Sequence, residues 1–118
     1  MKDDHTTVAP LAAMDPARWR ASAEAASRLM KVLSNPDRLL LLCQLAQGEA
    51  RVGELERLVG LGQPTLSQQL GVLRDEALVA TRRDGKQIYY RIDSPRTLAV
   101  MLVLYQHFCS ESTEGSPC

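Results

Sequence analysis

Three cysteines are the most reactive side chains of this sequence: Cys43, Cys109 and Cys118. A thiolate attacks electrophilic sulfur and binds soft metal ions, so each cysteine is a candidate nucleophile or ligand. Their odd number excludes a fully paired set of disulfides. We therefore expect reduced thiols, metal ligands or redox sensors, and the ordinary alternative for a lone cysteine is burial as a small apolar side chain.

The sequence carries none of the patterns of an enzyme site. It has no Cys-x-x-Cys motif, no βαβ pattern, no glycine-rich phosphate loop and no Ser/His/Asp set. Thiol-redox, nucleotide-dependent and hydrolytic chemistry each depend on one of these arrangements. We therefore predict no catalytic residues, no cofactor and no enzymatic activity.

A second group of side chains suits DNA. Between residues 63 and 76 one side of a predicted helix is apolar and the other carries amide and hydroxyl groups. Glutamine can form two hydrogen bonds with adenine, serine and threonine can bond several base edges, and nearby bases can contact phosphates. The DNA-binding candidates are Gln63, Thr65, Ser67, Gln68, Gln69, Arg74, Arg82, Arg83 and Lys86, with Arg91 as a further phosphate candidate.

Five helical segments would position these groups. Helix-start signals, in which Asp, Asn or Ser precedes a proline, occur at Asp15, Asn35 and Ser94. The second helix is apolar nearly all round, so we expect it to be buried at the centre. The predicted helices are Pro16–Val32, a segment from about Pro36 to Gln47, Val52–Val59, Gln63–Glu76, and Arg96 to about Ser110.

The order of the elements indicates a fold. The third and fourth helices are joined by Gly60–Gly62, a short glycine-containing turn typical of a helix-turn-helix. Two β-rich runs follow, Leu78–Arg83 and Lys86–Ile92, separated by the hairpin signal Asp84-Gly85. With the last helix, these predict a mainly α fold with a β-hairpin, a winged helix-turn-helix. Its fourth helix would enter the major groove and its hairpin would contact the DNA backbone.

Length, charge and hydropathy indicate the domain organisation and the location of the protein. We predict a disordered arm at 1–14, one DNA-binding and dimerisation domain at 15–110, and a disordered tail at 111–118. The net charge is +0, but four bases and one acid fall between Leu78 and Arg91, so a basic edge on a neutral molecule is expected. The chain has no apolar run of about 18 residues and has an acidic start that is unlike a secretory signal. A cytoplasmic location is therefore expected.

Three stretches resemble the ArsR family of repressors. Leu33–Leu42 looks like the opening signature of that family, Gln63–Arg74 resembles its recognition helix, and Arg82–Arg91 is similar to its wing. The resemblance covers roughly residues 17–110. It implies a homodimer joined mainly through the first and last helices, which represses transcription from operator DNA until an inducer binds.

The resemblance also bears on metals, because many members of the family sense them. Arsenic and cadmium sensors carry a Cys-x-Cys pair where this chain has Val52–Glu56, without a thiol. The last helix offers only His107 and Glu111, with Asp93 well before them, and His5 falls in the arm. Zinc requires three or four ligands. We therefore expect no metal site.

The thiols resemble those of one subgroup, the BigR/SqrR-type sulfide-responsive repressors. Leu42–Leu45 and Leu104–Cys109 look like its two cysteine sites. This likeness implies that Cys43 and Cys109 react with persulfides or polysulfides, become bridged by sulfur atoms within one subunit, and so release DNA. Sulfide-detoxification genes would be the targets. If the two residues lie beyond the range of about 7 Å between Cα atoms that a disulfide tolerates, inserted sulfur could close a bridge that peroxide cannot. Cys118 has no counterpart and is interpreted as incidental.

Two alternatives remain open. The chain could be an ArsR-family repressor that responds to peroxide or to a metal ion. It could also be a protein-interaction module of another class, which uses the winged helix without DNA. Salt-dependent binding to an operator duplex separates that last case, since phosphate contacts predict a steep salt dependence.

Overall fold

The computed structural model of the chain describes residues 15–109. The predictions for the arm at 1–14, the tail at 111–118 and Cys118 fall outside the described residues. The described elements, in chain order, are helices α1 (Pro16–Leu33) and α2 (Pro36–Leu45), strand β1 (Ala50–Arg51), helices α3 (Val52–Val59) and α4 (Thr65–Asp75), strands β2 (Val79–Asp84) and β3 (Gln87–Ile92), and helix α5 (Pro95–Phe108). The predicted fold class, four helices followed by a hairpin and a fifth helix, is confirmed.

The chain forms two compact units, one up to Lys31 and one from Val32 onward. The described part of the first unit is helical. Its start is the predicted one, because the carboxylate of Asp15 accepts a hydrogen bond from the Arg18 N–H at 2.9 Å. Apolar side chains of this helix are exposed, including Trp19 and Met30. None of the helices within residues 15–109 is long and apolar enough to span a membrane.

Helix α2 is the central element of the second unit, where it contacts α3, α4, α5 and β3. Its start signal is confirmed: the Asn35 side chain accepts from the Arg38 N–H at 3.0 Å, and Pro36 occupies the first turn. The helix is central to this unit as expected, but its burial is incomplete, because Leu40 is 38% exposed and Cys43 is half-buried. Its partners cover only one face, which carries Leu41, Leu42 and Leu45.

The helix-turn-helix consists of α3 and α4. Helix α3 has the predicted bounds and ends at Gly60, whose φ of 75° is in the left-handed region that favours glycine. Helix α4 begins at Thr65 and not at Gln63 as predicted. A residue before proline is disfavoured in the helical conformation, so the Gln63-Pro64 pair delays the helix. Leu66, Leu70 and Leu73 form its buried face.

The wing is an antiparallel hairpin within a three-stranded sheet of order β1-β3-β2. Asp84 pairs with Gln87, so the two turn residues are Gly85 and Lys86, one position later than predicted. Gly85 takes the positive φ of 66° that the first position of a type II′ turn requires. Strand β1 escapes the sequence analysis, because two residues are too few to show a strand pattern.

Helix α5 begins as predicted, where the Ser94 hydroxyl accepts from the Thr97 N–H at 3.1 Å. Its inward face consists of Thr97 and Met101, both almost fully buried. Leu98, Leu102, Tyr105 and Cys109 recur at helical spacing as an apolar stripe. Cys109 is buried, whereas Leu98, Leu102 and Tyr105 are exposed.

The cap of α2 can be tested by mutation. Asn35→Ala removes the acceptor for the Arg38 N–H, so we expect the free energy of unfolding to fall by about 0.5–2 kcal/mol. Asn35→Asp keeps an acceptor and is the control, with an expected change of a few tenths. Urea unfolding at one fixed protein concentration measures both. An Asn35→Ala protein as stable as the parent would show that the cap contributes nothing.

Candidate nucleic-acid interface

Three of the predicted base-reading side chains are exposed on α4 or directly before it. Gln63, Ser67 and Gln68 are exposed, and Thr65 is half-buried at the first turn. The Ser67 hydroxyl donates a hydrogen bond to the side-chain oxygen of Gln63, which orients that amide. The structure thus brings these polar groups together on the side of α4 opposite its buried leucines.

Gln69 is placed differently from its neighbours. It is half-buried, and its side-chain oxygen accepts a hydrogen bond at 3.0 Å from Nη1 of Arg38 on α2. This hydrogen bond occupies one acceptor position of the Gln69 oxygen and holds the side chain toward α2. The sequence alone could not reveal this contact, because the two residues are 31 positions apart.

The wing tip presents two exposed bases, Arg83 on β2 and Lys86 in the turn. They lie on an extended hairpin, as contact with a phosphate backbone requires. Arg74, in the last turn of α4, is also exposed. The prediction of phosphate contacts fits these three side chains best, because all three are exposed.

Arg82 is engaged within the protein. Its Nε and Nη2 each donate to the carboxylate of Glu49 at 2.8 Å, and its guanidinium lies 4.4 Å from the centre of the Tyr89 ring. The hydrogen bond from Arg82 lowers the pKa of Glu49, an effect that partial desolvation opposes. Two parallel hydrogen bonds of this kind fix geometry as well as charge. The pair therefore fastens the wing to the segment before β1.

A weaker pair occupies the other end of the hairpin. Nη2 of Arg91 lies 3.8 Å from a carboxylate oxygen of Asp93, and both side chains are exposed. Surface pairs of this geometry contribute little to stability. Arg91 thus stays a phosphate candidate, with an acidic neighbour that competes for it.

The two candidate sensing thiols lie on elements that contact each other. Cys43 is on α2, half-buried, and carries a thiol whose pKa is raised by desolvation. Cys109 directly follows α5, is 5% exposed and is disulfide-bonded. Because Cys43 keeps its thiol, the two are not joined to each other by a direct disulfide. Helices α2 and α5 contact each other.

Comparison with known proteins gives a consistent family. The model of "Bacterial regulatory protein, arsR family" matches residues 35–81. A biofilm growth-associated repressor of Agrobacterium fabrum is 50% identical over 95 residues, which cover 80% of this chain and 80% of the relative. The chain belongs to the arsR family of bacterial regulatory proteins.

Solved structures agree with this assignment. The transcriptional repressor BigR from Xylella fastidiosa superposes with a TM-score of 0.75 at 47% identity, covering 82% of this chain and 99% of that one. A homodimeric winged helix-turn-helix DNA-binding domain from Mycobacterium bovis has a TM-score of 0.67 at 32% identity, covering 86% and 94%. The prediction of a DNA-binding regulator and not an enzyme is confirmed by this family.

A metal site is not evident in the described part of this arsR-family chain. Between residues 15 and 109 no three His, Cys, Asp or Glu side chains come close enough to hold a metal ion. The candidates His5 and Glu111 lie outside the described residues.

The sequence analysis missed two residues that bond to candidate DNA-binding side chains, Arg38 and Glu49. Arg38 lies within the stretch Leu33–Leu42 that resembles the family's opening signature, and its position three residues after the cap Asn35 was the one sequence clue to a structural role. Glu49 offered no signal, because its partner Arg82 is 33 residues away.

The Glu49–Arg82 pair leads to a prediction about salt dependence. We expect Arg83→Ala to reduce the slope of log affinity against log salt by about 0.9 for each phosphate that the protein no longer neutralises. We expect Arg82→Ala to weaken operator binding with no change in slope, because it loosens the wing. Fluorescence anisotropy with an operator duplex at several salt concentrations measures both.

Glu49→Gln is the matched test, since it breaks the same pair and keeps the cation. It should weaken binding as Arg82→Ala does. Tighter binding by Glu49→Gln, or an Arg82→Ala slope equal to that of Arg83→Ala, would instead make Arg82 a phosphate contact.

Proposed function

We propose that this chain is a homodimeric transcriptional repressor whose α4 helices enter successive major grooves of an operator. The observation that carries the proposal is an exposed polar surface on a winged helix-turn-helix scaffold, formed by Ser67 and Gln68 of α4 together with Gln63, which is hydrogen-bonded to Ser67. Side chains at the exposed face of a recognition helix reach base edges. The exposed bases Arg83 and Lys86 on the wing would contact the flanking backbone.

Dimerisation is supported by apolar side chains that the single chain leaves exposed. On α5 these include Leu102, Val103 and Phe108, and on α1 they include Trp19 and Met30. Exposed apolar side chains on a small domain favour association. The homodimeric relative from Mycobacterium bovis supports the same arrangement. A two-fold dimer doubles the phosphate contacts and matches a palindromic operator.

The regulatory direction is taken from relatives. The relatives from Agrobacterium fabrum and Xylella fastidiosa are both described as repressors. We infer that the reduced protein occupies its operator and that an inducer releases it.

The proposed inducer is a reactive sulfur species acting on Cys43 and Cys109. Two organic persulfides, RSSH, each pass one sulfur atom to one cysteine and leave as RSH, giving a Cys–S–S–SH chain. The thiolate of the other cysteine attacks the middle sulfur of that chain, and the terminal sulfur leaves as hydrogen sulfide. A single sulfur atom then bridges the two cysteine sulfurs, and no other oxidant is consumed.

Such a bridge would act on DNA binding through α2. It ties the end of α5 to α2, and α2 contacts both α3 and α4. A bridge that shifts α2 relative to its partners would change the placement of α4 and strain the surface that α5 offers to a second chain. Bridged and operator-bound states would then exclude each other, as derepression requires.

The persulfide response can be tested on the fully reduced protein. We expect treatment with glutathione persulfide to add the mass of a sulfur-bridged Cys43–Cys109 pair, located by peptide mapping, and to weaken operator binding at least about tenfold. Cys43→Ser and Cys109→Ser should each abolish both effects. Cys118→Ser, compared in the same fully reduced state, should keep both effects, which would show that the third thiol does not form the bridge.

The alternatives are outcomes of the same experiment. Equal bridging and release with hydrogen peroxide would make the chain a general peroxide sensor. Release by Zn²⁺ with both thiols unchanged would make it a metal sensor. Persulfide that weakens binding in the Cys43→Ser protein would contradict the two-thiol mechanism.

The raised pKa of Cys43 predicts a pH dependence. A thiol whose pKa lies above the ordinary value of 9.0 is protonated at neutral pH, so its thiolate fraction grows about tenfold per pH unit there. We expect the rate of iodoacetamide labelling of Cys43 to rise throughout pH 7 to 9 without levelling off. In urea-unfolded protein, where the desolvation is absent, the labelling rate of Cys43 should level off at a lower pH than in the folded protein. A plateau near pH 7 in the folded protein would show a stabilised thiolate.

A further inference from the structure

Arg38 joins three parts of the second unit. Its backbone N–H donates to the Asn35 side chain at the start of α2, and its side chain donates from Nε to the Val32 carbonyl at 2.8 Å and from Nη1 to Gln69 on α4 at 3.0 Å. Arg38 is half-buried. Two separate nitrogens thus bind two separate acceptors, one near the end of α1 and one in the middle of the recognition helix.

The Val32 carbonyl needs such a donor. In a continuing helix it would accept from the residue four positions later, but that residue is Pro36, which has no N–H. Val32 is only 6% exposed, so water has poor access to its backbone. A buried carbonyl without a donor is costly. Arg38 is therefore anchored at this end, whatever it does at the other.

At its other end, the guanidinium of Arg38 bonds to α4 and restricts the orientation of that helix. Leu66, Leu70 and Leu73 bury one face of that helix, and a directional hydrogen bond restricts its rotation further than apolar contacts, which have no preferred direction. The first residues of α4 lack a side-chain cap. A charge-assisted hydrogen bond from Arg38 to Gln69 opposes rotation of the helix. Rotation would move Ser67 and Gln68, which directly precede Gln69, away from their outward positions.

We propose that Arg38 is a positioning residue for operator binding, and that Gln69 serves as its attachment point on α4 and does not read a base. This inference rests on the proposed function, because it takes α4 as the helix that enters the groove. It removes Gln69 from the base-reading set and leaves Gln63, Thr65, Ser67 and Gln68.

Gln69→Glu and Gln68→Glu test the proposal as a matched pair. Each adds one negative charge to α4 at neighbouring positions. The carboxylate introduced at position 69 would keep an acceptor for Arg38 and have its charge neutralised there, so we expect operator affinity within about threefold of the parent. The carboxylate introduced at position 68 would face the DNA without a cation, so we expect affinity to fall about 30-fold or more. Anisotropy with operator and scrambled duplexes, well below the melting temperature, measures the affinities.

A second variant addresses Arg38 directly. A lysine ammonium cannot reproduce the planar fork that spans two acceptors. Arg38→Lys should therefore lower affinity for the operator about tenfold while leaving scrambled-duplex binding and the salt slope unchanged. A thermal melt checks that the protein remains folded, and a loss of stability alone would not change the ratio of the two affinities.

The outcomes separate the two proposals. Gln69→Glu binding as weakly as Gln68→Glu would make Gln69 a DNA contact and overturn the positioning role, with the proposed function intact. A reduced salt slope in Arg38→Lys would overturn it in the same way. If neither substitution affects operator binding, α4 is not the reading helix, and the proposed function fails together with the inference.

Discussion

The burial of Leu41, Leu42 and Leu45 on one face of α2 is the interaction on which the remaining structure depends. These three side chains are at most 3% exposed, and α3, α4, α5 and β3 all contact the helix that carries them. Truncation of a buried leucine to alanine costs about 2–5 kcal/mol, which is a large part of the stability of a small domain. The reading helix, the wing and the last helix therefore share one support. A change in the placement of α2 would therefore displace all three elements.

Two other residues of α2, Arg38 and Cys43, depend on the contacts that this helix makes. Arg38 lies at the start of α2 and reaches α4, and Cys43 lies one and a half turns later, on the helix that contacts α5. The same helix thus carries one side chain that orients the recognition helix and one that can be modified. Coupling between a thiol and DNA requires an element with contacts to both sites, and α2 has them. Internal pairing also limits the bases available to phosphates, since Arg38 and Arg82 are engaged within the protein.

The sequence predicted the parts of this fold whose signals are local. Asn35 and Ser94 accept the backbone hydrogen bonds expected of caps, and the leucines of α4 are buried at the predicted spacing. The sequence could not predict placements that a neighbour in space decides. Leu40 is exposed because the partners of α2 cover one face only, and Gln69 turns inward because Arg38, 31 residues earlier, lies beside it. Periodicity reports which residues share a face but not which face is covered.

The central claim is that bridging of Cys43 to Cys109 and occupation of the operator exclude each other. Linkage makes this reciprocal: if the bridge weakens operator binding, the operator must oppose the bridge by the same factor. The direct measurement is the ratio of bridged to reduced protein, by intact mass, at equilibrium with a fixed ratio of persulfide to thiol, with and without saturating operator duplex. We expect a ratio at least about tenfold lower with operator and unchanged with a scrambled duplex at the same concentration. An equal ratio with and without operator would contradict it.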